Sequence, residues 1–275
     1  MSTDSRKKAP VGVFDSGVGG LTVAREIARQ LPNENIIYFG DTARVPYGSK
    51  SQNTIIRFSE QIIRFLKTKD VKAIVIACNT ASALALEAVQ GEFDVPVMGV
   101  VIPGARAAVE ATKNRKVGVV GTDATVQSGV YTKVIQEMAP DVTVVEKACP
   151  LFVPLVEEGF KDHIVTREVI EYYLESMRSS DIDAMILGCT HYPLLRSKIR
   201  EYMGEKIQIV NPAYETAMDL KKLLHEQDME NDGSTQAHSR YSFYVSDAAE
   251  KFRKFANTVM PFDVPTTNVV NIEEY

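Results

Sequence analysis

Short, unbroken apolar and β-branched runs alternate along this chain with longer stretches whose apolar residues return every three or four positions. Unbroken runs of four to six residues fit strands buried on both faces, and the longer period fits amphipathic helices. Val11 to Phe14 reads as a first strand, followed by the turn Asp15-Ser16-Gly17 and a helix through Gln30. Asn35 to Phe39 is a second strand, Gly40 to Ser49 a loop, and Gln52 to Lys67 a helix. Ala73 to Ala77 is a third strand, leading through Cys78-Asn79-Thr80 into an Ala/Leu-rich helix, and Val97 to Ile102 is a fourth, ending at Pro103-Gly104.

A second set follows. It has strands at Val117 to Val120 and Val142 to Glu146, then Cys149-Pro150 and helices to Met177. Ile182 to Leu187 is a buried strand that runs into Gly188-Cys189-Thr190-His191 and a helix, and Ile207 to Val210 closes the set. A helix then reaches Leu224, Glu226 to Arg240 is a polar loop, and Tyr241 to Val245 alternates weakly, as an edge strand would. Alternation of this kind predicts an α/β protein with doubly wound, mostly parallel sheets.

The two sets resemble each other. Cys78 and Cys189 are 111 positions apart (189 − 78), and each ends an apolar strand and precedes a helix. Near that offset Val11-Gly12-Val13 matches Val117-Gly118-Val119, Asp15-Ser16 falls opposite Gly121-Thr122, and Pro46 falls near Pro154. A duplicated unit predicts two pseudo-symmetric lobes, residues 1–97 with 210–275 and residues 98–209, around one cleft.

In parallel sheets ligands gather beyond the carboxyl ends of the strands. The polar residues there are Asp15 and Ser16; Asp41 with Pro46-Tyr47-Gly48; Cys78-Asn79-Thr80; Thr122 and Thr125; Glu157; and Cys189-Thr190-His191. A lone cysteine is ordinarily a small buried hydrophobe, and Cys149 is read that way. A cysteine between a strand end and a helix start meets backbone N–H groups that favour the thiolate over its usual pKa of about 8.5. Two such thiols on opposite walls of a cleft suit inversion at carbon, because one removes a proton and the other delivers one to the opposite face. Asn79, Thr80 and Thr190 are uncharged donors suited to a carboxylate, although each residue type is also an ordinary helix cap. The Gly-rich turn after Asp15 lacks dinucleotide-loop spacing and the downstream lysine of a phosphate loop. Tyr47 could reach a ligand or pack; His163, His225 and His238 read as surface residues.

Composition narrows the classes further. With 45% hydrophobic and 24% charged residues the chain can bury a core, and its net charge of −5 argues against direct nucleic-acid binding. No apolar run approaches the roughly 18 residues of a membrane span. The polar segment Met1 to Pro10 reads as a frayed lead-in, not a signal peptide, so a cytoplasmic location is expected. Three cysteines without CxxC spacing suggest neither a disulfide framework nor a zinc site.

Four stretches carry a family resemblance: Val13-Phe14-Asp15-Ser16-Gly17-Val18-Gly19-Gly20-Leu21-Thr22, Pro46-Tyr47-Gly48, Ala77-Cys78-Asn79-Thr80-Ala81, and Gly188-Cys189-Thr190-His191-Tyr192-Pro193-Leu194-Leu195. In order and spacing they resemble the bacterial glutamate racemases. The resemblance implies two flavodoxin-like lobes closing over substrate, and interconversion of L- and D-glutamate without pyridoxal phosphate, metal or other cofactor, supplying D-glutamate for peptidoglycan. It implies Cys78 and Cys189 as catalytic thiols, assisted by Asp15, His191 and Glu157. Asp15, Ser16, Tyr47, Gly48, Asn79, Thr80, Thr122, Thr125, Thr190 and His191 would line the glutamate site, and a homodimer is expected. The chain departs from the family where a Gly should follow the strand-ending Ser/Thr; it has Ser246-Asp247-Ala248. The residues alone leave two rival classes, a related two-cysteine racemase acting on aspartate or an isomerase or lyase of the same fold, and a non-catalytic small-molecule binding module.

Overall fold

The computed structural model describes residues 3–233 and 240–275, so His238 lies outside the described residues. The chain runs α1 (Thr3–Lys8), β1 (Val11–Asp15), α2 (Leu21–Gln30), β2 (Ile36–Gly40), α3 (Gln52–Lys67), β3 (Ala73–Ile76), α4 (Asn79–Leu84), α5 (Leu86–Val89) and β4 (Val97–Gly99). It continues through α6 (Val101–Ala111), β5 (Lys116–Gly121), α7 (Asp123–Gln127), α8 (Val130–Met138), β6 (Thr143–Ala148), α9 (Phe152–Glu157), α10 (Ile164–Arg178), β7 (Ala184–Gly188), α11 (Arg196–Met203) and β8 (Gln208–Val210). It ends with α12 (Pro212–Glu226), β9 (Tyr241–Val245), α13 (Ala249–Val259) and β10 (Asn268–Val269).

Two sheets form, ordered β10-β9-β2-β1-β3-β4 and β6-β5-β7-β8, and the strand pairings within them are parallel. The inner order β2-β1-β3-β4 repeats as β6-β5-β7-β8, which is the duplication seen in the sequence. Successive side chains point to opposite faces of each sheet. Thus Ala73, Val75 and Ala77 join one core cluster while Ile74, Ile76 and Cys78 join the one opposite. In the second sheet Ala184 and Ile186 face one cluster and Met185, Leu187 and Cys189 the other.

Helices complete the layers through their apolar stripes. In α3, Ser51 caps the start by accepting from Thr54 N–H at 3.4 Å, and Ile55, Phe58, Ile62, Phe65 and Leu66 recur at three- and four-residue spacing on the buried face. Each such large side chain contributes ~1.5–3 kcal/mol when fully buried, and Ile62→Ala would cost ~2–5 kcal/mol through the cavity it leaves. α12 packs on both α2 and α6, tying the lobes together behind the sheets.

Four expectations change. The strand expected through Ile102 stops at Gly99, and Val101 begins α6 instead. Pro103 sits in that helix's first turn, where its missing N–H costs nothing. Residues expected to fray form α1. β9 is not an outer edge, because β10 pairs alongside it. Cys189 precedes not an α-helix but a 3₁₀ turn, Tyr192–Leu195, that leads into α11. Among the described residues no helix is long and apolar enough to cross a membrane.

Candidate active site

β1 delivers Asp15, fully buried, to the carboxyl edge of the first sheet. Its Oδ2 accepts from Gly17 N–H at 3.1 Å, and its Oδ1 faces Thr190 Oγ1 of the second lobe at 3.5 Å. Burial raises the Asp15 pKa, while His191 and the N–H groups of Gly20 and Gly17 oppose the rise. The next glycines are demanded by space. A Cβ at Gly20 would lie 2.4 Å from Asp15 Cβ, and one at Gly19 would lie 2.3 Å from Thr190 Oγ1 and 2.5 Å from His191 Nδ1. The turn therefore lets the two lobes touch; Thr22 Oγ1 adds a donor bond to Thr190 O at 2.9 Å.

Cys78 follows β3 and caps α4, its sulfur accepting from Ala81 N–H at 3.5 Å and lying 3.7 Å from Ser16 Oγ. The helix start was expected to favour a thiolate here. Burial and the nearby Asp15 carboxylate instead push the pKa up to about 12, against the pull of Ala81 N–H and Ser16. A pKa that high makes Cys78 a thiol at neutral pH.

Cys189 follows β7, with its sulfur 3.8 Å from His191 Nδ1. The other ring nitrogen, Nε2, lies 3.0 Å from Glu157 Oε1 on α9. Burial drags the His191 pKa down, but Cys189, Glu157 and Asp15 outweigh it and raise it to about 10. The bond to His191 lowers the Glu157 pKa against the effect of burial. Glu158, its neighbour, is exposed and pairs loosely with Lys251 at 3.7 Å.

Both thiols open onto one cavity of about 300 Å³, one from each lobe. Ser16, Tyr47, Gly48, Asn79, Thr80, Thr122, Glu157, Thr190 and His191 line it as well. Thr80, Thr122 and Thr125 form a ring of hydroxyls 3.0–3.3 Å apart across the lobe boundary. Thr125 is the buried member of that ring, and Asp15 lies behind the turn, so neither forms the cavity wall itself. Tyr47 lines the wall, and its hydroxyl donates to Asp41 Oδ2, which Arg44 Nε also meets at 2.7 Å. Neither Lys nor Arg lines the cavity. An anionic ligand there would be held by neutral hydroxyl, amide and backbone donors, beside the single imidazole of His191. A larger cavity of about 490 Å³ adjoins it between α9 and α13, but neither cysteine reaches it.

Sequence reasoning missed Val45, Val153 and Pro154 as wall residues and Tyr131 and Ser246 behind them. Pro154 had appeared only as the repeat counterpart of Pro46; both line the cavity. Tyr131 gave no signal in the chain, since a tyrosine on an amphipathic helix reads as packing. Cys149 is wholly buried, with its sulfur 3.7 Å from Lys147 O, as a packing residue would be. His163 and His225 are exposed, as expected. Among the described residues no group of three His, Cys, Asp or Glu side chains could hold a metal ion.

The chain matches the family model described as Asp/Glu/Hydantoin racemase over residues 11–219. It is 48% identical to the glutamate racemase of Geobacter metallireducens across 90% of this chain and 91% of that protein. The crystal structure of a glutamate racemase isoform from Bacillus anthracis superposes with a TM-score of 0.92 at 40% identity, covering 96% of this chain and 98% of the other. That of the Francisella tularensis glutamate racemase in complex with D-glutamate gives 0.90 at 38% identity, covering 98% and 100%.

Proposed function

We infer the reaction from the fact that the chain belongs to the Asp/Glu/hydantoin racemase family: it interconverts L- and D-glutamate, supplying D-glutamate for peptidoglycan. The observation that carries the mechanism is the presentation of one thiol from each lobe to a single cavity. One cysteine, as thiolate, takes the α-proton. The electron pair left at the α-carbon spreads into the carboxylate, and the facing cysteine gives its S–H proton to the other side. The first sulfur then holds the proton and the second is the thiolate, so the return reaction starts from the mirror arrangement.

Carboxylate charge grows as the proton leaves, and donors already aimed at it stabilise the transition state without reorganising. Ser16, Thr80, Thr122 and Thr190 supply such donors in this reading, with Thr125 steadying the threonine ring, and Asn79 holds a carboxylate of the bound substrate alike in ground and transition state. Gly48 lies close against Thr122, where a Cβ would come within 2.9 Å of the threonine Cβ, so the Tyr47-Gly48 turn seals that wall. The substrate ammonium brings the positive charge that a thiolate at Cys78, beside Asp15, otherwise lacks. Cys189 and Glu157 together raise the His191 pKa, and His191 stands 3.8 Å from the Cys189 sulfur as its proton-handling partner.

A cytoplasmic location and a homodimer belong to the same reading. Acid–base cysteines must stay reduced, which a reducing compartment provides, and the homodimer rests on the family resemblance. Following optical rotation or circular dichroism of L-glutamate and of L-aspartate tests the assignment. Turnover of glutamate alone is expected. Preference for aspartate would favour the rival racemase, and affinity without turnover would favour a binding module.

A further inference from the structure

Asn79 is the wall residue whose chemistry depends on which way it faces. Its amide has an acceptor end, Oδ1, and a donor end, Nδ2, and a half-turn about the side chain exchanges them. Tyr131, on α8 of the second lobe, donates its hydroxyl to Asn79 Oδ1 at 2.7 Å. Tyr131 is fully buried. A glycine makes room for it: a Cβ at Gly188 would lie 3.2 Å from its Cε2. Burial pushes the phenol pKa far up, so the group stays an O–H donor through the working pH range.

The direction of this bond is fixed by counting partners. The phenol has one proton, and among the described residues Asn79 Oδ1 is the acceptor it meets. If the amide turned over, Nδ2 would donate to the phenol oxygen and the O–H would be left buried without an acceptor, a costly state. The Asn79 Nδ2 meets no protein acceptor among the described residues yet is not sealed off, and Asn79 lines the cavity.

We propose that Tyr131 is a positioning residue that locks the Asn79 amide with its NH2 toward the cavity, making it a dedicated donor to a substrate carboxylate. The proposal rests on the reading of this cavity as the glutamate site. The lock reaches from one lobe to the other, so the donor is set only when the lobes are assembled as they are here.

The test is steady-state kinetics with both glutamate enantiomers on Tyr131→Phe, Asn79→Ala, the double variant and Asn79→Asp. Tyr131→Phe is expected to raise KM about tenfold, the scale of one misplaced hydrogen bond to a charged group, with kcat within about twofold. On the Asn79→Ala background the same change should add nothing, because the residue it acts through is gone. Asn79→Asp keeps the acceptor for Tyr131 but turns a carboxylate oxygen to the cavity, so KM should rise by about a hundredfold or more. This variant decides the matter if Tyr131→Phe does not fold. A full tenfold effect on top of Asn79→Ala, or an unchanged or lowered KM in Asn79→Asp, would overturn the proposal. A wild-type chain that does not turn over glutamate would instead overturn the reading of the cavity, and the proposal with it.

Discussion

The Nε2 of His191 lies 3.0 Å from Glu157 Oε1, joining the turn after β7 to α9 at the cavity wall. Cys189 first and Glu157 next raise the His191 pKa from an ordinary 6.5 to about 10, so the Glu157 contact supplies part of a pH-dependent source of stability. A group whose folded pKa is raised contributes fully below its unfolded pKa, and loses that contribution as pH climbs through the folded one. Thermal midpoints should therefore fall between pH 6.5 and 10, and Glu157→Gln should flatten that fall by lowering the midpoint most near pH 6.5. Parallel profiles for the two proteins would show that the pair does not hold the histidine protonated.

Gly19 sets the distance between the first lobe's turn and Thr190-His191. In Gly19→Ala the added methyl would meet Thr190 Oγ1 at 2.3 Å, so the lobes must part or the His191 ring must shift. A displacement near 1 Å in a catalytic arrangement costs on the order of a hundredfold, and kcat/KM should fall by about that factor. Retention of near-wild-type kcat/KM would mean the turn gives way without disturbing the site.

Ala248 closes the Ser246-Asp247-Ala248 turn in which the chain departs from the family pattern, and it adopts a conformation that favours glycine. Its backbone is left-handed, φ 51° and ψ 41°, immediately before α13. The turn survives because Asp247 N–H donates to Thr42 Oγ1 at 3.0 Å and Ala248 N–H donates to Asp247 Oδ1 at 2.6 Å. An L-residue in this region costs about 1–2 kcal/mol, partly offset by the greater freedom glycine has when unfolded. Ala248→Gly should raise the thermal midpoint by about 2 °C, measured by differential scanning calorimetry, with racemisation unaltered. A lower midpoint would contradict the strain argument.

The sequence carried the repeat and most elements because unbroken apolar runs and helical spacing are strong signals. Gln52–Lys67 was readable to the residue, since Ser51 caps it and the stripe is clean. Val97 to Ile102 was misread because a short apolar run fits a strand or a buried helix start equally well. The strand-end rule brought the cysteines, Asn79, Thr80 and Thr190 to one cavity. It could not reveal that burial would keep Cys78 protonated, nor that Tyr131 would stand behind Asn79. Both depend on side chains from distant parts of the chain, and no local pattern encodes such meetings.

The central claim is that two thiols, one on each face of the α-carbon, share the proton transfers. It is tested most directly by running L-glutamate in deuterated water and following the α-position by NMR and mass spectrometry at low conversion. The D-glutamate formed should carry solvent deuterium, while recovered L-glutamate remains largely protonated, because the sulfur that removes the proton is not the one that delivers it. D-glutamate that keeps its original α-proton, or early deuterium equal in both enantiomers, would contradict the two-thiol account.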